Sequence, residues 1–230
     1  MPDDYKHLRA DKLIDTADRL ASRIVGRFPE ASLGKVAVAV ADLTRNAVAT
    51  AEKINRPNWK LRVGLIGLAA FILAAAGVSV AVIATFYREH LFEIGRVLSG
   101  AGLWLGGAFV FFWTLETRLR RGKVVKALHE LRGLAHIIDL HQLSKDPDCG
   151  PDADPAYNRE GLVAYLSFCG ELLALLSKIG QLYVEDFPDG TTLAAVDQLE
   201  NLTAGLSQKI WQKATILTER LRAEKGQPAG

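Results

Sequence analysis

Two long stretches in the middle of the chain contain no charged residue. They cover residues 63–87 and 97–115, which makes 25 and 19 residues respectively. An α-helix needs roughly 20 apolar residues to cross about 30 Å of hydrocarbon. Both stretches therefore have the length of a membrane span, and their short separation predicts a hairpin of two transmembrane helices.

Small residues recur in both stretches at a spacing of four, from Ala70 to Ala74 and from Gly102 to Gly106. This spacing lets helix backbones approach closely, so that packing holds the helices together. Packing within the hairpin explains the pattern, and homo-oligomerisation through the remaining small faces is a second explanation. Because neither stretch contains an acidic or basic side chain, the signature of a proton relay, voltage sensor or coupled transporter is missing.

The flanking segments show helical periodicity, without the alternation typical of strands. Before the first stretch, two amphipathic runs are separated at Pro29. After the second stretch, residues 118–143 continue as a helix, residues 162–183 form another, and Thr191 or Thr192 caps a last one. The apolar stripe of this last helix is close to a heptad repeat and consists of Val196, Leu199, Leu202, Leu206, Ile210, Leu217 and Leu221.

The pattern predicts an all-α integral membrane protein with three parts. Residues 1–56 form N-terminal amphipathic helices, residues 57–121 the transmembrane hairpin, and residues 122–225 a C-terminal helical bundle. Five amphipathic helices on one side of a membrane cannot each leave an apolar stripe in water. We therefore expect both flanking parts to pack into one composite domain.

Basic residues indicate the orientation of the hairpin. They flank both spans, whereas the connection at residues 88–96 balances two arginines against two glutamates. Under the positive-inside rule, both termini face the cytoplasm. The basic residues are Lys53, Arg56, Lys60 and Arg62 before the hairpin, and Arg118, Arg120, Arg121, Lys123 and Lys126 after it.

The remaining composition restricts the classes of function. With 28 basic and 26 acidic residues, the net charge of +2 provides no nucleic-acid-binding face. The two cysteines, Cys149 and Cys169, lack the spacing of a metal site or a disulfide framework, which indicates free thiols in a reducing compartment.

The most function-like group of polar residues comprises His129, Arg132, His136 and Asp139. On a helical wheel these four candidate ligand-binding residues share one arc. They border an apolar face, and Arg132 and Asp139 fall at its edge, where charged groups need partners. The apolar face consists of Val124, Leu128, Leu131, Ala135 and Ile138.

Three interpretations of this cluster are open. A hydrogen-bonded network of Arg132, His136 and Asp139 would fix helix register. A ligand or anion pocket would use Arg132 as a forked donor and the histidines as auxiliary donors. Metal-assisted chemistry would use His129, His136 and Asp139, but seven residues place the histidine α-carbons about 10 Å apart. No metal or cofactor is therefore predicted. Charged residues on the neighbouring helices could complete such a site. Alternatively, they form a solvated face with exposed ion pairs. These residues are Glu171, Lys178, Glu200, Lys209 and Lys213.

Three segments of the chain, taken as a set, resemble an uncharacterised family of bacterial two-span membrane proteins with a helical cytoplasmic domain. These segments are residues 56–64, 129–147 and 205–213. The resemblance implies this fold and a bacterial origin. Together with the two spans and the positive-inside rule, it leads us to expect a place in the bacterial inner membrane. It implies no activity and transfers no catalytic residue.

These observations favour a non-enzymatic, membrane-anchored helical scaffold or sensor. We expect it to be oligomeric and its cytoplasmic bundle to bind a protein partner or a small ligand, besides the lipid bilayer. Two alternatives stay open: a pore-forming or channel-like membrane effector, and a membrane-bound enzyme that uses the His129–Asp139 cluster. For the enzyme alternative, the catalytic residues are unknown.

Overall fold

A computed structural model describes residues 9–55, 59–86, 91–143, 158–185, 187–224 and 226. Over these ranges the chain is all-helical and contains no strand, which confirms the predicted fold class at that level. The helices are α1 (Ala10–Arg27), α2 (Ser32–Asn55), α3 (Trp59–Phe86), α4 (Leu91–Leu143), α5 (Arg159–Leu182) and α6 (Gly190–Glu224).

The chain divides into two compact units. The first combines the described residues of Met1–Asn55 and Lys123–Gly230, and the second those of Arg56–Gly122. The first unit is a helical bundle, as predicted, in which α5 packs against α6, and α1 and α2 pack against each other and against α5.

The break between α1 and α2 is anchored to the core of the bundle. The Phe28 N–H donates to Ile24 O at 2.8 Å, and Pro29 follows where α1 ends. The Phe28 ring lies edge-on to the rings of Tyr165 and Phe168, with centroid separations of 5.7 and 6.1 Å. The turn thereby fixes the N-terminal pair of helices on α5.

Helix α5 supplies the centre of the bundle. It begins at a capped end, where Asn158 Oδ1 accepts from the Gly161 N–H at 2.7 Å. Its Cys169 is a free, buried thiol, and burial raises the pKa of this thiol to about 12. Within the described residues, α5 is the one helix long and apolar enough to cross a membrane, judged by length and composition. Of its most apolar segment, 44% is buried inside the protein, so its apolar side chains serve as bundle core.

Helix α6 differs from the prediction in two details. Its start is capped by Asp189, whose Oδ2 accepts from the N–H groups of Thr191 and Thr192 at 3.1 and 3.4 Å, so the prediction of a threonine cap was wrong. In the heptad stripe, Thr203 rather than Leu202 is buried. The Thr203 hydroxyl donates to the Leu199 carbonyl at 3.0 Å, which satisfies the hydroxyl inside the core.

The second unit contains α3 and the first part of α4. The two predicted spans fall on these elements, and their crossing of a membrane stays a prediction. Helix α4 continues without interruption through Gly122 to Leu143. The predicted connection at residues 88–96 is shorter than expected, because α4 already begins at Leu91. Residues 56–58, residues 87–90 and Cys149 lie outside the described residues.

Candidate functional site

The four residues of the predicted cluster lie on α4 and differ in exposure. Arg132 and Asp139 are half-buried, whereas His129 and His136 are exposed. The predicted apolar face beside them is buried throughout, with every member at most 3% exposed. Arg132 and Asp139 therefore lie at the edge of the core.

Each half-buried residue binds a partner outside the predicted cluster. Arg132 Nη2 donates to Gln198 Oε1 of α6 at 2.8 Å. Asp139 Oδ1 accepts from Gln142 Nε2, one turn along α4, at 2.6 Å. Within the described part of the chain, no hydrogen bond joins Arg132 or His136 to Asp139. The structure thus forms two separate polar contacts where the sequence suggested one network.

Gln142 extends the polar contacts between α4 and α6. Its side chain is 1% exposed, and its Oε1 accepts no hydrogen bond from the residues that the structure describes. Lys213 of α6 reaches the same place, with Nζ 3.4 Å from the main-chain oxygen of Gln142. The Arg132–Gln198 and Gln142–Lys213 contacts lie ten residues apart on α4, so together they oppose sliding of α4 along α6.

The other charged candidates serve different contacts. Glu171 forms an ion pair with Arg23 of α1 at 2.8 Å, and Glu200 accepts from Gln181 Nε2 at 2.5 Å. Lys178 and Lys209 are exposed. Across the described ranges, no group of three or more His, Cys, Asp or Glu side chains could hold a metal ion.

A cleft of about 570 Å³ lies between α2 and α4. Its α4 residues lie on the opposite face of that helix from Arg132. Helix α4 contributes Lys123, Lys126, Ala127 and Glu130, which recur at spacings that place them on one helix face. The other lining residues are Ala39, Asp42, Leu43, Asn46, Ala47 and Thr50 of α2, together with Tyr183.

Tyr183 is the buried aromatic residue of this cleft. Its side chain is 5% exposed, and burial together with the nearby negative charge of Glu130 raises the pKa of its hydroxyl to about 12. The hydroxyl is therefore protonated at neutral pH and can donate a hydrogen bond. No bond from it to another described residue is formed.

The charges that line the cleft differ in how they are compensated. Asp42 is paired with Arg45 at 2.5 Å, and the same guanidinium also bonds Asp18. By contrast, Lys123, Lys126 and Glu130 form no ion pair with any residue in the described ranges, and all three are exposed. The cleft therefore presents two ammonium groups, one carboxylate and one phenol to a bound molecule.

Sequence reasoning did not predict this cleft. It used Lys123 and Lys126 only to orient the hairpin and placed Tyr183 at the end of a predicted helix, without a role. One feature of the sequence could have indicated a site here. Lys123, Lys126 and Glu130 are spaced so that they share one helix face, which also carries Ala127. That spacing becomes informative only when the helix packed beside it is known.

The chain matches no protein-family model, no curated protein and no solved structure.

Proposed function

We propose that the chain is a non-enzymatic, membrane-anchored helical module of the bacterial inner membrane. In this proposal α3 and the first part of α4 form a transmembrane hairpin, both termini face the cytoplasm, and the helical bundle binds a partner or a small ligand.

The exposure of apolar side chains on α3 carries this proposal. Ile66, Phe71 and Leu73 are 67%, 71% and 70% exposed. At 100° per residue, the exposed residues of α3 cover about 240° of the helix circumference. The half-buried residues Ala69, Ile72 and Ala76 occupy the remaining arc. Soluble proteins rarely leave so large an apolar surface in water, whereas a lipid environment stabilises it.

The outer face of α3 also supports self-association. A stripe of small residues with heptad-like spacing is exposed and consists of Gly67, Ala70, Ala74, Gly77 and Ala81. A Cβ atom added at Gly67 or Gly77 would meet no other atom within 4 Å. The stripe lies opposite the half-buried arc, so a helix of a second copy could approach it closely.

Fractionation of cells that express the full chain tests the membrane assignment. We expect the protein to stay in the membrane pellet after an alkaline carbonate wash. Fluorescent-protein fusions at either terminus should fluoresce, and alkaline phosphatase fusions at the same positions should be inactive, because both termini are cytoplasmic. Recovery of the chain in the soluble fraction would contradict the proposal.

The pore and enzyme alternatives gain no specific support from the described residues. Conductance measurements on planar bilayers that contain the purified protein distinguish a pore from a membrane anchor. Conductance that scales with the amount of reconstituted protein would favour the pore, and we expect none above that of protein-free bilayers.

A further inference from the structure

We infer that the cleft between α2 and α4 binds a small, water-soluble phosphate monoester that carries hydroxyl groups, such as a sugar phosphate. Lys123, Lys126 and Tyr183 hold the phosphate group, and Glu130 accepts from a hydroxyl group. The inference rests on the proposed function in one respect only, namely that the bundle binds a small ligand, and it gives this ligand a chemical class.

Small side chains on both helices create the space of the cleft. On α2, Ala39, Leu43 and Ala47 recur every four residues and form one row, and Ala127 of α4 lines the same cleft. Ala47 is buried and Ala127 is half-buried, so larger side chains at these positions would fill the gap. The volume of about 570 Å³ lies within the range of roughly 300–1,000 Å³ that is typical of small-molecule sites.

The Tyr183 hydroxyl is a fixed donor without a partner. The side chain is only 5% exposed, so the packing of the ring determines where the hydroxyl lies. Burial raises its pKa to about 12, and the charge of Glu130 contributes to this shift, which places the hydroxyl near another lining residue of the cleft. It bonds no described residue, and a buried donor without an acceptor is costly. An acceptor oxygen bound in the cleft therefore stabilises the protein.

Two lysines supply the charge that a phosphate group requires. Lys123 and Lys126 lie one turn apart on α4, are exposed and form no ion pair with a described residue. A phosphate monoester carries a charge of about −1.5 to −2 near pH 7 and three strong acceptor oxygens. Two ammonium groups and one neutral phenol match this group in charge and in number of donors. A carboxylate has one charge and two oxygens, so it uses fewer of these donors.

The other polar residues of the cleft suit hydroxyl groups. Asn46 and Thr50 share one face of α2, each has a donor and an acceptor, and neither side chain bonds a described residue. Glu130 only accepts, whereas Asp42 is already paired with Arg45. Since a hydroxyl group both donates and accepts, hydroxyl groups can satisfy Glu130 and both residues of α2. An ammonium group only donates, so it would leave the amide donor of Asn46 without an acceptor.

The position of the cleft residues along α4 favours a water-soluble ligand over a lipid. Lys123 follows Leu115, the last residue of the second predicted span, by eight residues, which is about 12 Å of helix. Glu130 lies seven residues further along the same helix. A headgroup whose acyl chains stay in the bilayer does not extend over this length.

Calorimetric titration of the detergent-purified full chain tests the inference. The esters used as probes are glycerol 3-phosphate, ribose 5-phosphate and glucose 6-phosphate. Three partial matches accompany them: inorganic phosphate, which lacks the hydroxylated carbon chain, glucose, which lacks the phosphate, and glucuronate, which carries a carboxylate instead. We expect at least one ester to bind at millimolar concentration, and each partial match to bind about tenfold more weakly than that ester.

Three variants assign the contacts of the bound ester. Lys123→Gln/Lys126→Gln should weaken the binding of the ester and of inorganic phosphate by about tenfold. Tyr183→Phe keeps the buried ring and should weaken both by about fivefold, which is the effect of one hydrogen bond. Glu130→Ala should weaken the binding of the ester alone. Inorganic phosphate should bind this variant at least as tightly as the wild type, because a negative charge is removed.

A matched control removes two positive charges elsewhere. Lys35 and Lys209 are exposed and do not line the cleft, so Lys35→Gln/Lys209→Gln should bind the ester like the wild type. Thermal unfolding of every variant checks that the fold is kept. We expect it to be kept because the lysines and Glu130 are exposed and phenylalanine conserves the volume of the tyrosine ring.

Three results would overturn the inference. The first is a wild type that binds none of the three esters. The second is equal binding of the ester by Lys123→Gln/Lys126→Gln and by the control variant. The third is glucuronate binding as tight as that of the esters, since the cleft would then recognise carboxylates. If carbonate-washed membranes still contain the chain in these cases, the membrane assignment stands without the inference.

Discussion

Arg132 on α4 and Gln198 on α6 are joined by a hydrogen bond of 2.8 Å between Nη2 and Oε1. The bond connects residues that are 66 positions apart in the sequence, and it lies at the edge of the bundle core. It gives Arg132, one of the four residues of the predicted cluster, a defined partner on another helix.

Removing this bond should affect stability. A hydrogen bond of this kind contributes about 1 kcal/mol, so Arg132→Ala should lower the free energy of unfolding by about that amount. Gln198→Ala should cost a similar amount, because it leaves the half-buried guanidinium of Arg132 without this acceptor, and the double variant should lose less than the sum of the two single losses. Denaturant unfolding of the four proteins measures this coupling. Unchanged stability of Arg132→Ala, together with loss of a bound ligand, would show that the residue serves binding instead.

Much of the helical architecture was predictable because it depends on local periodicity. The buried face of α4 follows from the 3.6-residue repeat of its apolar positions, and the end of α1 follows from Pro29. The cap of α6 was assigned incorrectly because Asp189, Thr191 and Thr192 are all good capping residues, and only the backbone geometry selects among them.

The polar contacts were less predictable because each depends on the packing of distant segments. The sequence places Arg132 and Asp139 at the edge of a buried face but does not specify the helix that faces them. Gln198 carries no charge and matches no motif, so nothing in the sequence identified it as a partner. The cleft combines residues of α2 and α4 with Tyr183, and no local pattern connects these three segments.

Two glycines of α5 provide a matched test of packing between α5 and α6. A Cβ atom at Gly180 would lie 2.7 Å from Leu199 Cδ2, and Leu199 is fully buried, whereas one at Gly170 would meet nothing within 4 Å. Gly180→Ala should therefore destabilise the protein by about 1–3 kcal/mol through overpacking. Gly170→Ala should stabilise it by up to about 1 kcal/mol, because alanine favours the helix. Thermal unfolding compares the two variants. Equal changes in Tm would contradict the close packing of Gly180 against Leu199.

The raised pKa of Tyr183 predicts a loss of stability at high pH. Its ordinary value is 10.0, and burial and Glu130 raise it to about 12 in the folded chain. The folded state therefore keeps the proton more firmly than the unfolded state does. The associated stability is complete below pH 10 and is lost as the pH rises toward about 12. Between these values the wild type should lose stability more steeply than Tyr183→Phe.

Tyrosinate absorbance provides an independent measure of the same group. Subtracting the titration of Tyr183→Phe from that of the wild type should isolate one hydroxyl with a pKa of about 12. Glu130→Gln should lower this pKa only in part, since burial is the larger cause. A difference titration centred at the ordinary value of 10.0 would contradict the burial of Tyr183.

The small stripe on α3 predicts the effect of bulk on self-association. Ala70 lies within the stripe and Ala75 outside it, and both are exposed. If helices of two copies approach closely along the stripe, Ala70→Ile should reduce the oligomeric fraction of the detergent-solubilised protein. Ala75→Ile adds the same side chain outside the stripe and should leave that fraction unchanged. Light scattering after size-exclusion chromatography measures both, and equal behaviour of the variants would rule out this interface.

A pair of lysine substitutions distinguishes lipid from water around α3. Leu73 and Val38 are exposed at 70% and 46%, on α3 and α2 respectively. In water, a lysine at either exposed position changes little. In a bilayer, a charge near the middle of a span costs about 2.5–3.5 kcal/mol. Leu73→Lys should therefore reduce the amount of protein in carbonate-washed membranes, while Val38→Lys should insert like the wild type. Equal recovery of both variants from the soluble fraction would place the apolar surface of α3 in water and contradict the transmembrane hairpin.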